Sequence, residues 1–166
     1  MAQVNNSKET PEQAEIAADA RTLLQRAFKA SLATLDRTTG CPYASLITVA
    51  TDDSGGPIFL ISSLARHTRN LLDDSRASIL IDGTGDLADP LQGARVTLHG
   101  RAEKVSGEGV KRRFLARHPE AGFYVDFEDF AFWRLALEGA HFIGGFGRIV
   151  DLEPADLLDP SQDAGA

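Results

Sequence analysis

The chain has 166 residues and a formal net charge of −7, enough for one domain with a full core and too few for two. The acidic balance argues against a nucleic-acid footprint or an anionic membrane surface. Hydrophobic residues at 43% and charged residues at 25% describe a globular domain rather than a disordered chain.

Residues 1–9 read as a loose tail. Thr10-Pro11-Glu12-Gln13 is a compact helix start, with Thr as cap, Pro at the first helical position and Gln at the third. Ile16, Ala20, Leu23, Leu24 and Ala27 then recur at helical spacing to about Phe28. Strands are expected over 31–36, 43–51 and 57–62, punctuated by TTG and DDSGG, both hairpin-type connections. Ser62 and Ser63 are good capping residues, so a helix should begin near Leu64. A strand over 77–82, the loop GTGDLADPLQG and a long alternating strand over 94–105 follow. A second helix fits 108–117 and is ended by Pro119. Two late strands are expected over 130–137 and 141–152, with Gly144, Gly145 and Gly147 marking a bulge or a close backbone approach. Residues 159–166 read as a second tail, leaving one domain over 10–158. Three short strands before any crossover, then isolated helices, favour an α+β, mainly β design around an antiparallel sheet or barrel.

Chemical motifs are few. GGFG at 144–147 fails the spacing of GxGxxG, and no helix follows it. His67, His99, His118 and His141 are each more than ten residues apart, so spacing points to no metal centre. There is no GxSxG element. Cys41, the only cysteine, excludes an intramolecular disulfide, suits a reducing compartment and reads as an ordinary loop cysteine. No apolar run approaches the about 20 residues of a membrane span, and the N-terminus lacks a secretory leader pattern; a cytoplasmic location is expected. Trp133 with Phe127, Phe130 and Phe132 reads first as core or subunit interface.

The helix near Leu64 carries its charges against the helix dipole: Arg66, His67 and Arg69 open it, and Asp73 and Asp74 close it. Arg66 and Arg69 could form a solvated face, with Arg69 paired to Asp73 at i+4. Alternatively, free backbone N–H groups, serine hydroxyls and guanidinium form a phosphate site, which makes the reversed order intelligible.

The block PYASLITVATDDSGGPIFLISSLARHTRNLLDDSRASILI, together with a late GGFGR, resembles the pyridoxamine 5′-phosphate oxidase-like FMN-binding split barrels, most closely their haem-utilisation (HugZ-type) branch. The resemblance covers roughly residues 12–152. It implies a six-stranded antiparallel Greek-key split β-barrel with flanking helices, and a homodimer with FMN at the subunit interface. Carried over by position, Ser45, Leu46, Ile47, Thr48, Val49 and Ala50 would line the flavin and its ribityl chain. Ile61, Ser62 and Ser63 would approach the phosphate, with Arg66 and His67 as the phosphate pair. Arg95 stands where the family commonly places a Gln facing the isoalloxazine. The oxidases proper bring Tyr and Arg from the late helix and a terminal Arg-x-His to their substrate. Phe114 and His118 stand in the helix positions here and GFGRIVDL has no Arg-x-His, so pyridoxamine phosphate oxidation is not expected. Haem-degrading members use a histidine in a C-terminal loop, and LLDPSQDAGA has none. His141 could substitute, although a hydrogen-bonded structural role is the first reading of a strand histidine. The expectation is an FMN-binding oxidoreductase acting on a small acceptor. The alternatives are a HugZ-type haem-binding or haem-degrading oxygenase and a non-catalytic FMN or haem carrier.

Overall fold

Helix α1, Pro11–Arg26, opens the structure, a computed structural model in which residues 10–159 are described. Its start is the capping box expected from the sequence: the Gln13 N–H donates to Thr10 Oγ1 and the Thr10 N–H to Gln13 Oε1. Ile16, Ala17, Ala20 and Leu24 form its buried stripe. There follow β1 (Lys29–Leu35), β2 (Pro42–Thr48), β3 (Ala50–Thr51), β4 (Pro57–Ser62), α2 (Arg66–Asp73), β5 (Arg76–Asp82), β6 (Ala94–Val105), α3 (Glu108–Arg117), β7 (Phe130–Gly144), β8 (Ile149–Leu152) and α4 (Pro154–Leu157). The two tails read from the sequence lie outside the described residues except Asp159, whose N–H donates to Ser54 O at 2.9 Å.

The strands join in the order β2-β1-β5-β6-β7-β4-β3, with β8 also on β7, and every pairing is antiparallel. This is the split-barrel sheet with flanking helices, its body made by the six longer strands β1, β2, β4, β5, β6 and β7. One face carries the main core: Leu32, Ile79, Ile81, Val96, Leu98, Leu135 and Phe142 pack together with the apolar stripe of α1. A second cluster, Ala50, Ile58, Leu60, Phe114, Ala121 and Val125, lies under α3. Strand β4 is therefore buried on both faces, which is why it reads as the unbroken apolar run PIFLI rather than as an alternation.

Three expectations are corrected. Helix α2 begins at Arg66, not near Leu64, and its N-cap Ala65 makes no side-chain cap. The Ser62 hydroxyl is engaged one step earlier, accepting from the Leu64 N–H and lying 2.5 Å from Asp129 Oδ2. The strand expected over 43–51 breaks at Val49, whose N–H donates to Phe28 O. The two late strands over 130–137 and 141–152 are instead one long strand, β7, followed by the short β8. What looked like a gap is a bulge in which Glu138 is skipped: His99 faces Gly139 while Gly100 faces Leu137. Gly100 is required there, since a Cβ would stand 2.0 Å from Ala136 O. The late glycines make the β7–β8 turn, with Gly145 at φ +95 and Gly147 at φ +87. Gly145 also makes the close backbone approach expected of it, since a Cβ there would stand 2.7 Å from Gln92 O.

Candidate functional site

The reversed charges of α2 are answered by partners elsewhere in the fold. Arg66 donates through Nε to Asp36 Oδ2 at 2.8 Å, with a terminal nitrogen 2.7 Å from the same oxygen. Its guanidinium also lies over the Tyr43 ring, 4.9 Å from the centroid. Asp36 is itself buried and accepts from the N–H groups of Thr38 and Thr39 and from the Thr39 hydroxyl. The Arg66 guanidinium above all, then the Thr39 contacts, hold its carboxyl down to about 2. Arg69 turns back to Leu64 O, not forward to Asp73. Asp74 is paired with Arg76, whose side chain and N–H hold that carboxyl at about 2. Beside this cluster lies a recess of about 380 Å³ lined by Asp36, Arg37, Arg66, Arg69 and Asn70 among others.

Two further side chains fix this corner. Buried Asn70 donates to Thr34 Oγ1 at 3.0 Å and accepts from the Arg37 N–H at 3.1 Å, tying α2 to the β1–β2 turn. His67 Nδ1 lies 3.0 Å from Ser45 Oγ, and burial pushes its pKa below the ordinary histidine value. His67 is therefore neutral near pH 7 and adds no second positive charge beside Arg66. Nothing local in the sequence pointed to Asp36, Asn70 or Tyr43. Asp36 preceding TTG does announce a side-chain-capped turn, but its partner lies thirty residues further along.

The residues carried over from the resemblance do not share one surface. Leu32 faces Ser45 across the β1–β2 pair and is in the core, so alternation turns Ser45 and Ile47 inward and Leu46 and Thr48 outward. Ile47, Val49, Ala50 and Ile61 are buried. Ser45, Arg66 and His67 come together at one end of the barrel. Ser63 stands just before α2, where its N–H donates to Asp129 O. Arg95 is on the outer face instead, where its guanidinium donates to Leu91 O and Gly93 O.

That outer face is largely free of covering elements. Register places Asp151, His141, Thr97, Leu80, Ser31 and Leu46 in one row across it. The next row is Gly139, His99, Ser78, Ala33 and Ala44. From His141 to Leu46 is four strand spacings, about 19 Å. The floor is thus made of small side chains, with Leu46 at 70% and Leu80 at 40% exposure standing on it. His141 Nδ1 lies 2.7 Å from Asp151 Oδ1 at one end of the first row, and its side chain is 44% exposed. His99 rests its ring on Gly139, where a Cβ would meet the ring atoms Cε1 and Nε2 at 2.8 and 2.9 Å. His118 is fully buried between Phe28 and Phe114, with Nε2 2.9 Å from Val49 O. Phe114 is likewise buried, so neither late-helix position faces a ligand. Trp133 is core, as read from the sequence, whereas Phe127 is 48% exposed. Among the described residues no group of three or more His, Cys, Asp or Glu could hold a metal ion. No helix among them is long and apolar enough to cross a membrane.

Comparison with known proteins places the chain. The model of the CREG β-barrel family matches residues 11–158. The haem oxygenase HOZ (chloroplastic) of Arabidopsis thaliana is 38% identical over 131 residues, which cover 75% of this chain and 39% of that protein. A haem-binding protein from Mycobacterium smegmatis is similar in structure, with a TM-score of 0.79 and 36% identity, covering 86% of this chain and 59% of that one. The chain therefore spans less than two thirds of either relative, 39% of the plant protein and 59% of the mycobacterial one. The haem storage protein HutZ of Vibrio cholerae shares the fold at a TM-score of 0.61 and 23% identity, over 76% of this chain and 92% of that one.

Proposed function

The chain belongs to the CREG β-barrel family of split barrels, and on that premise we propose that it is a haem-binding protein that works as a homodimer. The observation that carries this reading is the open outer face: a floor of short side chains (Gly, Ala, Ser and Thr), two histidines, and the apolar side chains Leu46 and Leu80 in water. The face of a sheet leaves room for a planar macrocycle only where its side chains are short. A large flat apolar ligand and a second copy of the chain would together remove Leu46 and Leu80 from water. Arg95 on the same face offers a cation for a propionate group, whereas Arg101 is already paired with Glu138 at 3.3 Å. The names borne by the plant and mycobacterial relatives point the same way. The test is a haemin titration of the purified chain followed by absorbance. A saturable Soret change at one haem per protomer is expected, and no saturable change would overturn the reading.

A second reading, an FMN-dependent oxidoreductase, is favoured by the Ser45, Arg66 and His67 cluster. The residues fit a flavin phosphate only in part. Arg66 and the uncapped start of α2 suit it, but Asp36 already neutralises Arg66 and His67 is neutral. Bound FMN would supply two-electron redox chemistry, while this corner would contribute only the hold on the phosphate. Stoichiometric FMN binding by a protein that ignores haemin would make this the leading reading.

A further inference from the structure

We infer that His141 is the axial ligand to haem iron, with Asp151 as the residue that positions it; this rests on the haem-binding reading above. A free metal ion needs several protein ligands, and the described residues offer no such group. Iron already held by four pyrrole nitrogens needs only one. What distinguishes a ligand histidine from a structural one is the state of its second nitrogen: a carboxylate accepting from one ring N–H leaves the lone pair on the other and makes it more basic.

The four histidines divide on this criterion. His118 has no exposure, and its Nε2 is taken up by Val49 O. His67 turns inward to Ser45. The His99 ring stands over Gly139, where an added Cβ would meet Cε1 and Nε2, and no carboxylate is hydrogen-bonded to it among the described residues. In His141 the Nδ1–H donates to Asp151 Oδ1 at 2.7 Å, which leaves the lone pair on Nε2, and Nε2 has no hydrogen-bond partner among the described residues. His141 is also the one that stands at the end of the short-side-chain floor, with Thr97 and then Leu80 next across the sheet. The β8 strand has a use on this account. Its pairing places Asp151 opposite His141, so the histidine is oriented by backbone register rather than by a mobile loop.

The test is a haemin titration of the whole chain and its variants, each first checked for an unchanged thermal melt. Wild type should give the absorption and electron paramagnetic resonance spectra of a histidine-ligated haem. His141→Ala should lose that signature, weaken haemin binding at least about tenfold, and recover the histidine-type spectrum on adding free imidazole. Asp151→Asn should keep the histidine-type spectrum, weaken haemin binding by roughly ten- to hundredfold and lower the iron–histidine stretching frequency of the ferrous form, which a merely structural pair would leave alone. His99→Ala, which alters the floor but not the iron ligand, should keep the histidine-type spectrum whatever its effect on affinity. A wild-type spectrum retained in His141→Ala, or its loss in His99→Ala, would overturn the assignment while leaving haem binding intact. Failure of wild type to bind haemin at all would remove both.

Discussion

Arg66 and Asp36 form the ion pair that lets helix α2 begin with a cation. One carboxylate oxygen receives Nε at 2.8 Å and lies 2.7 Å from a terminal nitrogen, and the Tyr43 ring backs the guanidinium. A helix N-terminus repels positive charge, so the arginine is tolerated because an ionised carboxylate, not the helix, is its nearest electrostatic neighbour. The same pair bears on any anion that might use Arg66, because Asp36 is in competition for it.

That competition is measurable with FMN as the probe. Arg66→Ala should weaken FMN binding roughly ten- to hundredfold, the loss expected for one charge-assisted hydrogen bond. Asp36→Asn keeps an oxygen for the Thr38 and Thr39 N–H groups but removes the competing charge, so it should tighten FMN binding. Riboflavin, without a phosphate, should respond to neither substitution. Calorimetric titration checks this; weaker FMN binding in Asp36→Asn would mean that the carboxylate orients Arg66 rather than opposing the ligand.

Acid sensitivity follows from the two depressed carboxylates. Asp36 and Asp74 are held at about 2 in the fold against an ordinary 3.8. Below 3.8 the unfolded chain takes up protons that the folded chain still refuses, so stability falls as pH drops from about 4 towards 2. Melting temperatures across that range should decline steeply in wild type and less steeply in Asp36→Asn. An identical decline in both would place the acid sensitivity elsewhere.

His67 should add a milder slope at higher pH. Burial lowers its folded pKa below the ordinary histidine value of about 6.5, so below 6.5 the unfolded state binds a proton more readily. Stability from this group is complete above about 6.5 and is progressively lost as pH falls towards the lower folded value. In His67→Gln the melting temperature between pH 7 and 5 should be flatter than in wild type.

Asn70 is expected to be the costliest polar residue of α2. It has no exposure and satisfies both the Thr34 hydroxyl and the Arg37 N–H. Asn70→Ala would leave both without that partner, at about 2–4 kcal/mol by the usual penalty for buried groups left unpaired. Urea unfolding measures it; a loss below about 1 kcal/mol would mean that water enters and replaces the amide.

Assembly has its own test. If the outer face is covered by a second copy, a charge in the middle of the row should prevent pairing. Light scattering should give a dimer mass for wild type and a monomer mass for Leu80→Glu and Leu46→Glu, each with a melt close to wild type because neither side chain is in the core. A wild-type monomer at micromolar concentration would remove the dimer from the proposal.

Local physics wrote much of this structure into the sequence. The capping box at Thr10, the alternation of 94–105 and the helix at 108–117 depend on neighbours three or four residues away or on a period of two, and the strand at 57–62 on an unbroken apolar run between turn residues. Each was therefore legible in the chain. So was the oddity at α2, because a helix terminus has a sign and Arg66 opposes it. What the chain could not disclose is who answers that charge. Asp36 lies thirty positions earlier and reaches Arg66 only once β1 and α2 pack, and Asn70 meets Thr34 by the same closure. The joining of the two late strands into β7 was hidden because a bulge at Glu138 interrupts the alternation, while Gly100 on the neighbouring strand makes room for it. The candidate site was hidden for a related reason. Successive strand residues face opposite ways, so a contiguous run such as Ser45 to Ala50 cannot line one surface. Register across six strands instead gathers Asp151, His141, Thr97, Leu80, Ser31 and Leu46 into one row, and register is fixed by long-range pairing and burial rather than by any local stretch of sequence.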